Sequence, residues 1–184
     1  DSSARITLIE AGCGSGKTVA AYCWAAKRLA GRKLFFCYPT TGTASEGFVD
    51  YVAESGLEAD LIHSRAGVDL ERMVMSREER PAVEEEDERL RIASLIAWHP
   101  QVVVCTIDTV LALVRNNRRG LYASPAILSG GFVFDEIHAY DDEMFAAMVA
   151  FIRALSGAPF LLMRASLPAP RKSYLEQHLG DLGT

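Results

Sequence analysis

The chain has 184 residues, 49% of them apolar, and a formal net charge of −5. That length supports one domain with a substantial core, and no run approaches the ~18 apolar residues of a membrane span. The acidic balance argues against a broadly basic nucleic-acid-binding surface but leaves open a narrow groove of backbone amides and a few side chains. No basic-then-apolar leader opens the chain, and Cys13, Cys23, Cys37 and Cys105 lack paired C-x-x-C spacing. Reduced thiols in a cytoplasmic protein are therefore expected, not disulfides or zinc.

Ile6–Ile9 is a short apolar run rich in β-branched residues and reads as the first strand. Glu10–Thr18 follows as E-A-G-C-G-S-G-K-T, and from Ala11 it fits the phosphate-loop pattern Ala/Gly-x-x-x-x-Gly-Lys-Ser/Thr. Val19, Cys23, Ala26 and Ala30 then recur at helical spacing, so the loop lies between a strand and a helix. In that context Ala11, Gly12, Cys13, Gly14, Ser15 and Gly16 turn their N–H groups inward on phosphate oxygens. The positive end of the helix beginning near Lys17 adds to the field. Lys17 is placed to reach the β- and γ-phosphates, and the Thr18 hydroxyl to hold Mg²⁺. The loop is expected to bind a nucleotide.

Lys33–Tyr38 reads as a second strand, ending in the polar loop Pro39–Thr43. A helix over about Ala44–Ser55 stops at Gly56. Ala59–Ile62 is a short third strand leading to His63-Ser64-Arg65. Val68–Arg91 carries an acidic run, Glu84–Glu88, of the kind that forms a solvated helix face or an insert. Leu90–Trp98 resumes helical spacing before Pro100. Gln101–Cys105 is a continuous apolar run, as for a strand buried on both faces. Thr106-Ile107-Asp108 opens a helix to about Val114, and Asn116–Gly120 is a basic, polar turn. Gly131–Phe134 is the next strand and delivers Asp135-Glu136-Ile137-His138. Glu143–Leu155 is a helix with Met144, Met148, Phe151, Ile152 and Leu155 on its core face. Pro159–Met163 is the last strand, followed by Arg164-Ala165-Ser166-Leu167-Pro168 and a short amphipathic tail.

Strands alternating with helices imply an α/β fold, a parallel sheet with helices on both faces. Ligands of such sheets bind at the carboxyl ends of the strands, where every polar loop above falls. Asp135 and Glu136 are adjacent acids after a buried strand, and neighbours there point to different sides. Asp135 is placed to share Mg²⁺ with Thr18, and Glu136 to orient and deprotonate the attacking water. That is phosphoryl transfer by positioning and electrostatics.

Asp135-Glu136-Ile137-His138 resembles the D-E-x-H box of superfamily 2 helicases. The order of the phosphate loop, Pro39-Thr40-Thr41, Thr106-Ile107-Asp108, the acidic box and Arg164-Ala165-Ser166 is similar to that of their first RecA-like lobe. More narrowly, the chain resembles the CRISPR-associated helicase of type I systems. That likeness rests on A-G-C-G-S-G-K-T (Ala11–Thr18), L-I-H-S-R-A (Leu61–Ala66) with Asp69–Glu71, C-T-I-D-T-V-L (Cys105–Leu111), F-D-E-I-H-A-Y-D (Phe134–Asp141) and A-S-L-P (Ala165–Pro168). The resemblance implies one RecA-like, ATP-binding P-loop NTPase lobe over residues 1–184, using ATP and Mg²⁺. It gives Lys17 and Thr18 to phosphate and metal, Asp135 to metal and Glu136 to water activation. His138, Ala165 and Ser166 would couple hydrolysis to movement. Thr40, Thr41 and Thr106, with Arg65 a weaker candidate, would touch the phosphates of a single strand without reading its sequence.

The implied partners are single-stranded DNA, a guide-RNA surveillance complex and a Cas nuclease, fused or separate, in a prokaryotic cytoplasm. Two features depart from the family. Arg164 stands where a small hydroxyl residue is usual. The 184 residues also show neither an adenine-recognising segment, nor a second lobe, nor a histidine–aspartate nuclease doublet. A single lobe of a two-lobe motor, poorly active alone, is the expectation. An RNA helicase lobe, or a docking module that holds nucleotide as a structural ligand, are the alternatives.

Overall fold

A computed structural model of the chain describes residues 4–12, 14–52, 59–62, 99–115 and 118–180. Its apolar runs become six strands: β1 (Ile6–Glu10), β2 (Lys33–Tyr38), β3 (Ala59–Ile62), β4 (Val102–Thr106), β5 (Gly130–Phe134) and β6 (Phe160–Arg164). They pair in the order β1–β6–β5–β2–β4–β3, every pair parallel. β2, β4, β5 and β6 are buried along their whole length, which is why they read as unbroken apolar runs with no alternation.

Helices cover both faces. On one side α1 (Lys17–Arg28) and α2 (Thr41–Tyr51) set Ala21, Ala25 and Ala44 against Phe36, Tyr38, Val104, Val133 and Leu161. On the other, α3 (Ile107–Leu111), α4 (Arg118–Leu128), α5 (Asp142–Ala154) and α6 (Ala169–Leu179) enclose an aromatic centre. There Phe132 stacks on Phe35 and Phe160 at 5.4 and 5.2 Å and meets Phe151 edge-on at 5.0 Å. Cys37 and Cys105 are buried free thiols on neighbouring strands, their sulfurs 3.7 Å apart. No helix among the described residues is long and apolar enough to cross a membrane.

Four local expectations are corrected. The helical spacing of Val19, Cys23, Ala26 and Ala30 does not mark the buried side of α1: all four are exposed, and Lys17, Ala21 and Ala25 face inward. The loop turns Lys17 inward, and positions four residues apart follow it round the helix. Next, α2 begins at Thr41, not Ala44. Thr40 caps it, its Oγ1 accepting from the Thr43 amide at 3.3 Å while Thr43 Oγ1 accepts from the Thr40 amide at 3.3 Å. Thr40→Ala is expected to cost about 1 kcal/mol in urea unfolding. An unchanged midpoint would show that the cap contributes nothing.

The turn expected over Asn116–Gly120 is helical from Arg118, and α4 runs on through Pro125. Proline has no N–H for the Leu121 carbonyl, and Ser124 Oγ supplies that bond at 2.7 Å. Finally, β6 extends one residue to include Arg164. Glycine permits one close approach in the α1–α2 layer, since a Cβ on Gly47 would overlap the Tyr38 ring. Cys13, His63-Ser64-Arg65, the acidic run, the Leu90–Trp98 helix and the Ser55–Gly56 stop expected for the second helix lie outside the described residues.

Candidate nucleotide site

β1 ends at Glu10, and the chain turns through the loop before α1. Gly14 and Gly16 have φ of 73° and 79°, the left-handed region that only glycine enters without steric cost. Gly16 is the residue before the first turn of α1, and Ser15 Oγ folds back to donate to the Gly12 carbonyl at 2.7 Å. This brings Lys17 inward, 9% exposed, where its ammonium donates to Glu136 Oε1 at 2.8 Å. Thr18 is half-buried in the same turn.

β5 delivers the two acids. Asp135 extends the pairing with β2 by one bond, its amide donating to the Cys37 carbonyl at 2.9 Å. Glu136 then takes φ 49°, ψ 43°, a left-handed conformation that costs a non-glycine residue roughly 1–2 kcal/mol. The turn swings its carboxylate back across the loop. There Oε1 meets Lys17, and Oε2 lies 3.1 Å from His138 Nδ1. So Lys17, Glu136 and His138 form one chain of contacts.

Asp135 is separate from that chain and buried, 8% exposed, with Oδ1 accepting the Glu136 amide at 2.8 Å. Burial first, then the Glu136 charge, push its carboxyl up to about 6 from an ordinary 3.8. The amide bond, Lys17 and His138 pull the other way. A buried carboxylate short of positive charge, on the same edge as the Thr18 hydroxyl, fits a divalent cation. Among the described residues no three His, Cys, Asp or Glu side chains cluster as a metal cage.

The other sequence-derived residues fall around this centre. Thr40 and Thr41 follow β2 at the start of α2, with the Thr40 hydroxyl already engaged in its cap. Thr106 ends the adjacent strand β4, in register with Tyr38. It is buried, its hydroxyl 3.5 Å from that of Thr109. Ala165 and Ser166 leave β6 directly after Arg164, whose carbonyl accepts from the Ala11 amide at 3.0 Å.

Arg171 escaped the sequence reading. From α6 its guanidinium donates to the Tyr140 carbonyl at 2.7 Å, the His138 carbonyl at 3.5 Å and Asp142 Oδ1 at 2.7 Å. It also lies 4.9 Å over the Phe145 ring. The backbone that leaves the acidic box is thereby tied to the helix that follows Ala165-Ser166. A lone arginine in a polar helix carries no local signal of this.

Comparison with known proteins agrees with the geometry. The DEAD/DEAH box helicase family model matches residues 2–173. A Myxococcus xanthus protein described as a CRISPR-associated nuclease/helicase Cas3 is 49% identical over 174 residues, covering 95% of this chain and 23% of that protein. The Escherichia coli K12 CRISPR-associated endonuclease/helicase Cas3 is 27% identical over 186 residues, covering 92% of this chain and 21% of its own length. The crystal structure of T. fusca Cas3-ATP superposes with a TM-score of 0.62 at 27% identity, over 96% of this chain and 21% of that one. The chain thus spans little more than a fifth of the length of these relatives.

Proposed function

The chain belongs to the DEAD/DEAH box helicase family, and from that premise we propose that it is the ATP-binding lobe of an ATP-dependent single-stranded DNA translocase acting in CRISPR interference. The observation that carries this reading is the Lys17–Glu136–His138 chain beside the buried Asp135, at the carboxyl edge of the sheet. In the structure the Lys17 ammonium and the Glu136 carboxylate form an ion pair. The γ-phosphate of ATP competes for Lys17, and Glu136 is released to accept a proton from the attacking water. His138 stays beside Glu136 Oε2 and relays its position to the following turn, which Arg171 holds. Thr18 and Asp135 would hold Mg²⁺. Bound there, the ion supplies neutralisation of the charge that develops on transfer.

The relatives are several times longer and are named as nucleases as well as helicases. We infer a second lobe completing the cleft, a surveillance complex that loads the strand, and a nuclease fused or docked, all in a prokaryotic cytoplasm. Thr40, Thr41 and Thr106 remain the proposed strand contacts. The test is the Mg²⁺-ATPase rate of the two-lobe protein, titrated separately with single-stranded DNA and single-stranded RNA. Stimulation by DNA alone is expected. Stimulation by RNA alone would move the substrate to RNA, and none by either, with ATP still bound, would leave a nucleotide-holding docking module.

A further inference from the structure

Arg164 is the last residue of β6 and stands in register with Glu10, the last residue of β1 before the phosphate loop. It grips that point twice. Its carbonyl accepts from the Ala11 amide at 3.0 Å, and its guanidinium Nη2 donates to Glu10 Oε2 at 2.5 Å. The residue is 1% exposed, and its Nε and Nη1 are buried with no partner among the described residues. Glu10, half-exposed, is the acid that pairs with this buried guanidinium.

Such a group is a poor choice for stability. An apolar side chain of similar volume in a buried site is commonly as stable or more so, because it has no charge to desolvate. The residues two and four positions earlier on the same strand, Leu162 and Phe160, are apolar and fully buried. A charge-assisted bond gives something they do not, a directional hold on one side chain. Here the side chain held belongs to the residue from which the loop departs, and the residue holding it is the one from which Ala165-Ser166 departs.

We propose that Arg164 and Glu10 form a positioning clamp that sets the start of the phosphate loop and joins it rigidly to the Ala165-Ser166 segment. Arg164 is a positioning residue in this account, since it acts on nucleotide only through Glu10 and Ala11. A displacement of the loop by bound phosphate is passed to Ala165-Ser166 through the clamp, and the reverse. The proposal rests on the reading of the lobe as a nucleotide-driven motor.

The experiment uses the two-lobe protein with Glu10→Ala, Arg164→Met, both together, and Arg164→Lys. MgATP affinity is measured by fluorescence titration without nucleic acid, and each melting temperature is recorded. Glu10→Ala and Arg164→Met should each weaken MgATP binding about tenfold, the scale of one charge-assisted hydrogen bond. The double variant should be no worse than the worse single one, because both remove the same contact. Arg164→Lys should recover part of the loss. Arg164→Met should melt no lower than wild type, which separates lost affinity from lost fold.

Affinities unchanged in Glu10→Ala overturn the clamp, as do losses that multiply in the double variant. If Arg164→Met does not fold, Glu10→Ala decides alone, since a half-exposed carboxylate is removable without opening the core. Failure of the motor reading looks different, because there the wild type itself shows no ATPase stimulation by a single strand.

Discussion

Glu136→Gln is expected to lower ATP hydrolysis by about 10²–10⁴-fold while leaving ATP bound at least as tightly as wild type. The first half follows from the role of the carboxylate. An amide of the same shape fills the same space but accepts no proton from water. The second half follows from the ion pair that the carboxylate makes with Lys17. Its Oε1 holds the Lys17 ammonium at 2.8 Å, so phosphate must break a half-buried ion pair to recruit the lysine. Glutamine holds Lys17 less strongly and removes that competition. Single-turnover hydrolysis and a nucleotide titration on the same variant check both halves. Wild-type turnover would show that Glu136 does not orient the water. Lost binding with lost turnover would show that it supports the loop instead of the chemistry.

Asp135→Asn is expected to abolish Mg²⁺-dependent turnover and yet stabilise the protein at pH 7.5 in the absence of metal and nucleotide. In the fold the carboxyl is pushed up to about 6, against 3.8 ordinarily, chiefly by burial and then by Glu136. Between about pH 4 and 6 the unfolded chain therefore binds fewer protons at this position than the folded one. Stability falls as pH rises through that window, and above it the full cost of a buried charge is present. Asparagine carries no such cost and can still accept the Glu136 amide through its carbonyl oxygen. The gain should be about 1–3 kcal/mol at pH 7.5, shrinking toward zero near pH 4. Urea unfolding at the two pH values measures it. Saturating Mg²⁺ and ATP should narrow the gap, because they stabilise only the charged form. A variant less stable than wild type at pH 7.5 would sink this account of the site.

Much of the molecule was legible along the chain. The strands are unbroken apolar runs because a parallel sheet covered on both faces buries every residue of its inner strands, as in β2 and β4. The phosphate loop and the Asp135-Glu136 pair are contiguous motifs, readable from adjacent residues. Helix faces and ends were harder. In α1 the inward residues are Ala21 and Ala25, and small side chains on both sides of that helix blur its apolar stripe. In α4, Pro125 reads as a break until Ser124 is seen to serve the stranded carbonyl.

The sequence by itself determined the fold class, the nucleotide loop and the acids that face it, because each depends on residues close together in the chain. Only the tertiary structure decided that Glu136 turns back through a left-handed φ to bridge Lys17 and His138. It also decided that Arg164 meets Glu10, 154 positions away, and that Arg171 binds the exit of the acidic box 31 positions before it. Those contacts follow from strand order and register. β6 lies between β1 and β5, and that placement is set by how the whole sheet packs, which no local pattern of residues encodes.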